Sequence, residues 1–170
     1  MVARNETFFK WALYGGAALL ACVLQGAVLQ RIVLWGVFPF LFPMLAAVVG
    51  MYEGPLRGSL FGLAVGVVCD LTLTGLLPCT YTLLFPLVGL LSGWIAQSLL
   101  PAGFLCSLVA APSAFALTDL FQCAVLALSG KAAWGAGLLV AGKETLLSLP
   151  FLIPVFLLFR AVFRRCHRDD

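Results

Sequence analysis

Long apolar runs, each close to 20 residues and parted by breaks of only a few residues, constrain this chain more than any other feature. A helix must run about 20 residues to cross a hydrocarbon core of roughly 30 Å, and a soluble core has no use for so many such runs in succession. The runs fall at about 11–29, 32–52, 57–77, 80–98, 103–128 and 135–159 of the 170 residues. They are cut at Gln30-Arg31, from Glu53 to Arg57, at Leu77-Pro78-Cys79, at Leu100-Pro101-Ala102 and at Ser129-Gly130-Lys131, so no soluble domain fits between them. A composition that is 63% hydrophobic and 10% charged agrees. The expected fold class is an all-α integral membrane protein: residues 1–170 as one bundle of six transmembrane helices, closed by a basic tail at 160–170.

Lysine and arginine set the expected orientation. If the N-terminus lies inside, the inner segments carry Arg4, Lys10, Arg57, Arg160, Arg164, Arg165 and Arg168, while the outer loops carry only Arg31 and Lys131. Both termini are therefore expected in the cytoplasm, with Lys143 inside the sixth span. Arg160, Arg164, Arg165 and Arg168 belong to a tail suited to anchoring the last helix at anionic headgroups, and nucleic acid is not expected as a partner. The first apolar run is too long for a signal peptide and lacks a small-x-small cleavage site. The six cysteines contain no C-x-x-C pair, and the single histidine, His167, sits in the tail, so neither a metal site nor a histidine-based catalyst is expected in the membrane.

Residues 54–70, GPLRGSLFGLAVGVVCD, carry glycine at every fourth position and then an acid. Each interior glycine would cost a soluble helix roughly 1 kcal/mol against alanine. In lipid, helices associate by close van der Waals packing, and small residues permit it. Gly58, Gly62 and Gly66 thus read as a helix-packing groove, within the bundle or toward a partner's helix, and Gly54-Pro55 as the start of the helix that bears it.

Asp70 ends the row, and a carboxylate within a span needs a partner. Asp119, Lys143 and Glu144 are the other ionisable groups buried in apolar sequence. At 1.5 Å per residue, Asp70, Asp119 and Lys143 lie ~10, ~15 and ~13 Å below the outer ends of their helices. The shared depth predicts a buried polar cluster in which Lys143 pairs with Asp70 or Asp119; Glu144, turned about 100° from Lys143, is expected either in that cluster or against a different helix or another protein. The cluster of Asp70, Asp119, Lys143 and Glu144 would act as a lock between helices, a ligand or ion site, or a partner contact. Enzyme chemistry finds no footing: the serines lack a histidine base, and no metalloprotease, Walker-type or intramembrane-protease motif occurs. No cofactor is expected.

Residues 24–71 resemble the front half of the rod-shape-determining MreD family. Gln25 near the end of the first helix, the Leu34-Trp35-Gly36 turn, Pro39, and the Gly58, Phe61, Gly62, Gly66 and Asp70 core carry the likeness. The resemblance implies a non-catalytic scaffold in the bacterial cytoplasmic membrane. It would contact MreC and, through it, MreB filaments and the wall-synthesis polymerase and transpeptidase, and so organise peptidoglycan synthesis. The stretch EGPLRGSLFGLAVGVVCDL is also similar to the G-P-x-x-G-x-x-x-G-x-x-x-D-L helix of substrate-binding S components of energy-coupling-factor vitamin transporters, which share a six-helix architecture. That alternative implies a vitamin site in the outer half.

Cysteine labelling of intact cells is expected to leave both termini protected and residue 131 reactive; a reactive C-terminus would overturn the six-span count.

Overall fold

A computed structural model describes residues 2–73, 79–130 and 134–166, with side chains from residue 8 to residue 165. Seven helices form among the described residues: α1 (Val2–Ala27), α2 (Phe42–Glu53), α3 (Pro55–Thr72), α4 (Thr80–Ser98), α5 (Phe104–Leu128), α6 (Trp134–Ser148) and α7 (Leu152–Cys166). Lys131, Arg168 and the Leu77-Pro78 break lie outside the described residues. Five segments are long and apolar enough to cross a membrane: Phe8–Arg31, Pro55–Thr72, Thr80–Ser98, Phe104–Leu128 and Trp134–Arg165. The chain therefore has the build of an all-α multi-pass membrane protein.

The span expected at 32–52 takes a different form. Trp35 and Gly36 both have positive φ, 54° and 80°, and the main chains of Leu34 and Val37 exchange hydrogen bonds of 2.9 and 3.0 Å around them. Two left-handed residues in a row make a tight hairpin turn that no helix tolerates. Helix begins only at Phe42, with Pro43 in its first turn, and runs 12 residues to Glu53. From Phe42 to Met51 every residue of α2 is buried, with α3, α4, α5 and α7 packed around it. A helix this apolar on all sides is a core element, and neighbouring helices replace lipid around it.

Gln25 fixes where this segment enters the bundle. Its amide nitrogen donates to the Pro39 carbonyl at 2.8 Å and its amide oxygen accepts from the Leu41 N–H at 2.9 Å, satisfying non-helical backbone buried in the protein. At the other end of α2, Glu53 meets the beginning of α1. Its carboxylate accepts from the Tyr14 hydroxyl at 2.9 Å and pairs with Lys10 at 2.7 Å and Arg57 at 3.5 Å. Residues 39–53 thus run back alongside α1, from the level of Gln25 to that of Lys10.

Antiparallel α3 and α4 form the most extensive helix pair. A Cβ added to Gly62 would fall 2.7 Å from the Phe85 carbonyl carbon, and one on Gly66 2.8 Å from Thr82 Cα. One on Gly58 would meet the Gly50 main chain and, at 3.0 Å, the Gly89 carbonyl oxygen. Each step of four along α3 is answered by a step of four backwards along α4, so the glycine row is spent inside the bundle, backbone against backbone. α6 and α7 continue each other through a single 3₁₀ turn at Leu149–Phe151, where Pro150 interrupts the helical hydrogen bonds.

Gly62→Ala is expected to destabilise the protein by about 1–3 kcal/mol, because a methyl group would be forced into main chain that cannot yield. Gly15→Ala, where a Cβ would meet nothing within 4 Å, is the matched control and is expected to be neutral. Thermal unfolding in detergent compares the two.

Candidate functional site

Asp70 lies in the last turn of α3, half-buried, facing the first turn of α4. One carboxylate oxygen accepts from the Tyr81 N–H at 3.2 Å, and the other from the Thr82 N–H at 2.8 Å and the Thr82 hydroxyl at 2.6 Å. The first N–H groups of a helix have no partner within it, and a carboxylate there both satisfies them and complements the helix dipole. Cys79, the residue preceding α4, has φ 61° and supplies no side-chain cap. The acid from the neighbouring helix takes that role, which ties the end of the glycine seam to the start of α4.

Asp119 and Glu144 come together elsewhere, between α5 and α6. Asp119, Gln122, Cys123 and Leu126 share one face of α5; Gly137, Val140, Ala141 and Glu144 share one face of α6. These faces line a cleft of about 190 Å³. The helices approach closely at Gly137, where a Cβ would sit 2.8 Å from the Cys123 sulfur. Asp119 is 9% exposed, and its Oδ2 is buried without a hydrogen-bond partner. Its carboxyl group otherwise accepts a long, 3.4 Å hydrogen bond from the Thr118 hydroxyl and interacts with the Thr145 hydroxyl of α6.

Tyr81 connects the two regions. Its main-chain N–H donates to Asp70, while its hydroxyl accepts from Gln122 Nε2 at 3.0 Å. Phe40 and Phe85 pack against its ring, with centroids 5.7 and 5.4 Å away. The polar groups of α3, α4 and α5 are therefore strung along one tyrosine.

Lys143 joins neither region. It is exposed on α6, and no carboxylate lies within ion-pair distance of it among the described residues. The four ionisable residues expected to cluster thus separate by direction: Asp119 and Glu144 share a cleft, Asp70 caps α4, and Lys143 faces outward. Successive helical residues turn by about 100°, so equal depth leaves the facing side undetermined.

At the opposite end of the bundle, Arg160 lies over the Phe156 ring at 5.8 Å, and Arg164 and Arg165 are exposed in the last turn of α7. Tyr52 stacks on Phe156 and Phe163, which places these arginines beside Glu53, Lys10 and Arg57 and makes that end strongly basic. The Glu53 junction escaped the sequence reading. Glu53 reads as part of a loop break, and its 2% exposed side chain becomes visible as a buried anchor only where Lys10 and Tyr14 of α1 reach the end of α2.

The cleft offers two carboxyl groups and one amide in otherwise apolar walls, chemistry suited to holding a cation. Replacing Asp70 with Leu is expected to cost about 1–3 kcal/mol, since it leaves the Tyr81 and Thr82 N–H groups unsatisfied. Lys143→Leu is expected to add to that loss without coupling. A double-mutant cycle by thermal unfolding checks this, and a coupling above about 1 kcal/mol would place the two side chains in contact. The chain matches no family model, no curated protein and no solved structure.

Proposed function

We propose that this protein is a non-catalytic scaffold of the MreD kind. It would sit in a bacterial cytoplasmic membrane, cross it six times with both termini inside, and help organise peptidoglycan synthesis for cell elongation through MreC. One observation carries the reading: Gln25, the glycine row and Asp70, which bear much of the resemblance, are engaged in assembly. Gln25 holds the backbone ahead of α2, Gly58, Gly62 and Gly66 let α3 close on α4, and Asp70 caps α4. A motif spent on backbone contacts builds a rigid frame, and a rigid frame is what a scaffold presents to partners.

The return of residues 39–53 alongside α1 supports the six-pass count, with the second pass short and shielded by protein. The cluster of Lys10, Arg57, Arg160, Arg164 and Arg165 at one end supports a cytoplasmic position for that end. Between α1 and α3 an apolar groove of about 440 Å³, lined by Trp11, Gly15, Leu19, Leu60, Ala64 and Val68 among others, leaves room for a partner's helix.

A vitamin-binding S component is the second reading, favoured by the polar groups of the α5–α6 cleft. Sites for drug-sized ligands usually run from about 300 to 1,000 Å³, and this cleft is smaller. The larger groove offers no charged side chain, and its hydrogen-bonding groups are the Trp11 indole and the weakly donating Cys22 thiol.

Affinity purification from native membranes separates the two readings. MreC is expected to co-purify. Recovery of a pair of ATPases with a large transmembrane coupling subunit would replace the scaffold reading with the transporter.

A further inference from the structure

α6 is attached to the rest of the chain along one side. Gly137, Ala141 and Glu144 turn toward α5, while Leu138, Leu139, Gly142, Lys143 and Leu146 are exposed. Lys143 is thus a cation on the outward side of an apolar helix, about 14 Å along it from Trp134. A lysine in such a position ordinarily marks a functional contact, because apolar surroundings do not solvate an ammonium group. One residue further, Glu144 enters the cleft where Asp119 Oδ2 is buried and unpartnered. Each chain therefore carries an unpaired cation and, beside it at nearly the same height, an acidic cleft that lacks one.

We infer that a second copy of this chain fills the cleft: two copies associate through α6, and Lys143 of each reaches the Asp119–Glu144 cleft of the other. Copies inserted the same way round are related by a twofold axis along the membrane normal, an isologous contact in which each gives what it receives. That axis preserves depth. Lys143 of the partner subunit arrives about one helical rise, 1.5 Å, from the level of Glu144. Ala136 and Val140 line the cleft and are themselves exposed, so its mouth opens on the side of α6 that a neighbour can approach. Ala136, within about 20° of Lys143 around the helix axis, keeps that side low enough for close helix contact. A volume of about 190 Å³ accommodates the end of a lysine side chain. Charge complementarity singles out the second copy. A free cation would neutralise the cleft and leave Lys143 unpaired, while an acidic helix from another protein would pair Lys143 and leave the cleft empty.

Two variants of the full-length protein in liposomes test this, with self-association followed by single-molecule photobleaching over a series of lipid dilutions. Lys143→Gln removes the cation; Asp119→Asn combined with Glu144→Gln removes the acids. Each removes both lysine–cleft contacts of the pair and is expected to weaken self-association ~100-fold, tenfold or about 1.4 kcal/mol for each contact. Mixed, the two variants are expected to associate with each other about tenfold more strongly than either does with itself, because the mixed pair retains one cleft filled by one lysine. If either variant fails to accumulate alone, joint recovery on co-expression supports the contact and failure of joint recovery overturns it. The inference also falls if the wild-type protein remains monomeric, if Lys143→Gln associates like wild type, or if the mixture shows no preference for unlike pairs. It does not depend on the scaffold reading: loss of MreC recovery leaves it standing, and loss of the unlike-pair preference removes it alone.

Discussion

The backbone-to-backbone seam between α3 and α4 is the contact on which the rest of the bundle depends. Gly58, Gly62 and Gly66 meet Gly89, Phe85 and Tyr81 at separations that leave no room for a Cβ, and Gly50 brings the core helix α2 into the same seam. In lipid no water is released to drive helices together, so attraction must come from many close atomic contacts. Removing side chains along a whole stripe maximises their number. The helix-propensity cost that makes such a row unfavourable in a soluble helix weighs less here, because apolar surroundings make every unformed backbone hydrogen bond expensive.

Polar side chains are few, and most of the buried ones serve the backbone or one another. Gln25 satisfies the chain entering α2, the Ser148 hydroxyl accepts from the Phe40 N–H at 2.9 Å, and Asp70 caps α4. Glu53 gathers Lys10, Arg57 and Tyr14 where three helices begin or end. An anion held by two cations and a hydroxyl offsets its own desolvation, whereas loss of either side would leave a buried charge costing several kcal/mol. Against this thrift, the open partners of Asp119, Glu144 and Lys143 stand out as chemistry the isolated chain leaves unfinished.

Class and segmentation were legible in the sequence, because the length of an apolar run is a physical requirement of the bilayer and needs no tertiary information. The spans expected at 80–98 and 103–128 contain α4 and α5, that expected at 57–77 overlaps all but the first two residues of α3, and the glycine row announced a close helix contact before the contacting helix was known. Even Asp70 was marked, since an acid within an apolar segment must find donors.

Sequence alone left open everything that depends on azimuth and on neighbours. Trp35 could adopt positive φ and break the second span because Gln25, distant in sequence, satisfies the backbone beyond it. Lys143 and Asp70 share a depth but face different ways, since rotation about a helix axis is set by packing against other helices and not by position along the chain. Glu53 becomes an anchor only when folding brings Lys10 and Tyr14 of α1 to the end of α2. Local sequence determines where a helix can lie in lipid and how closely it can be approached. Tertiary structure alone decides which side of it is approached, and by what.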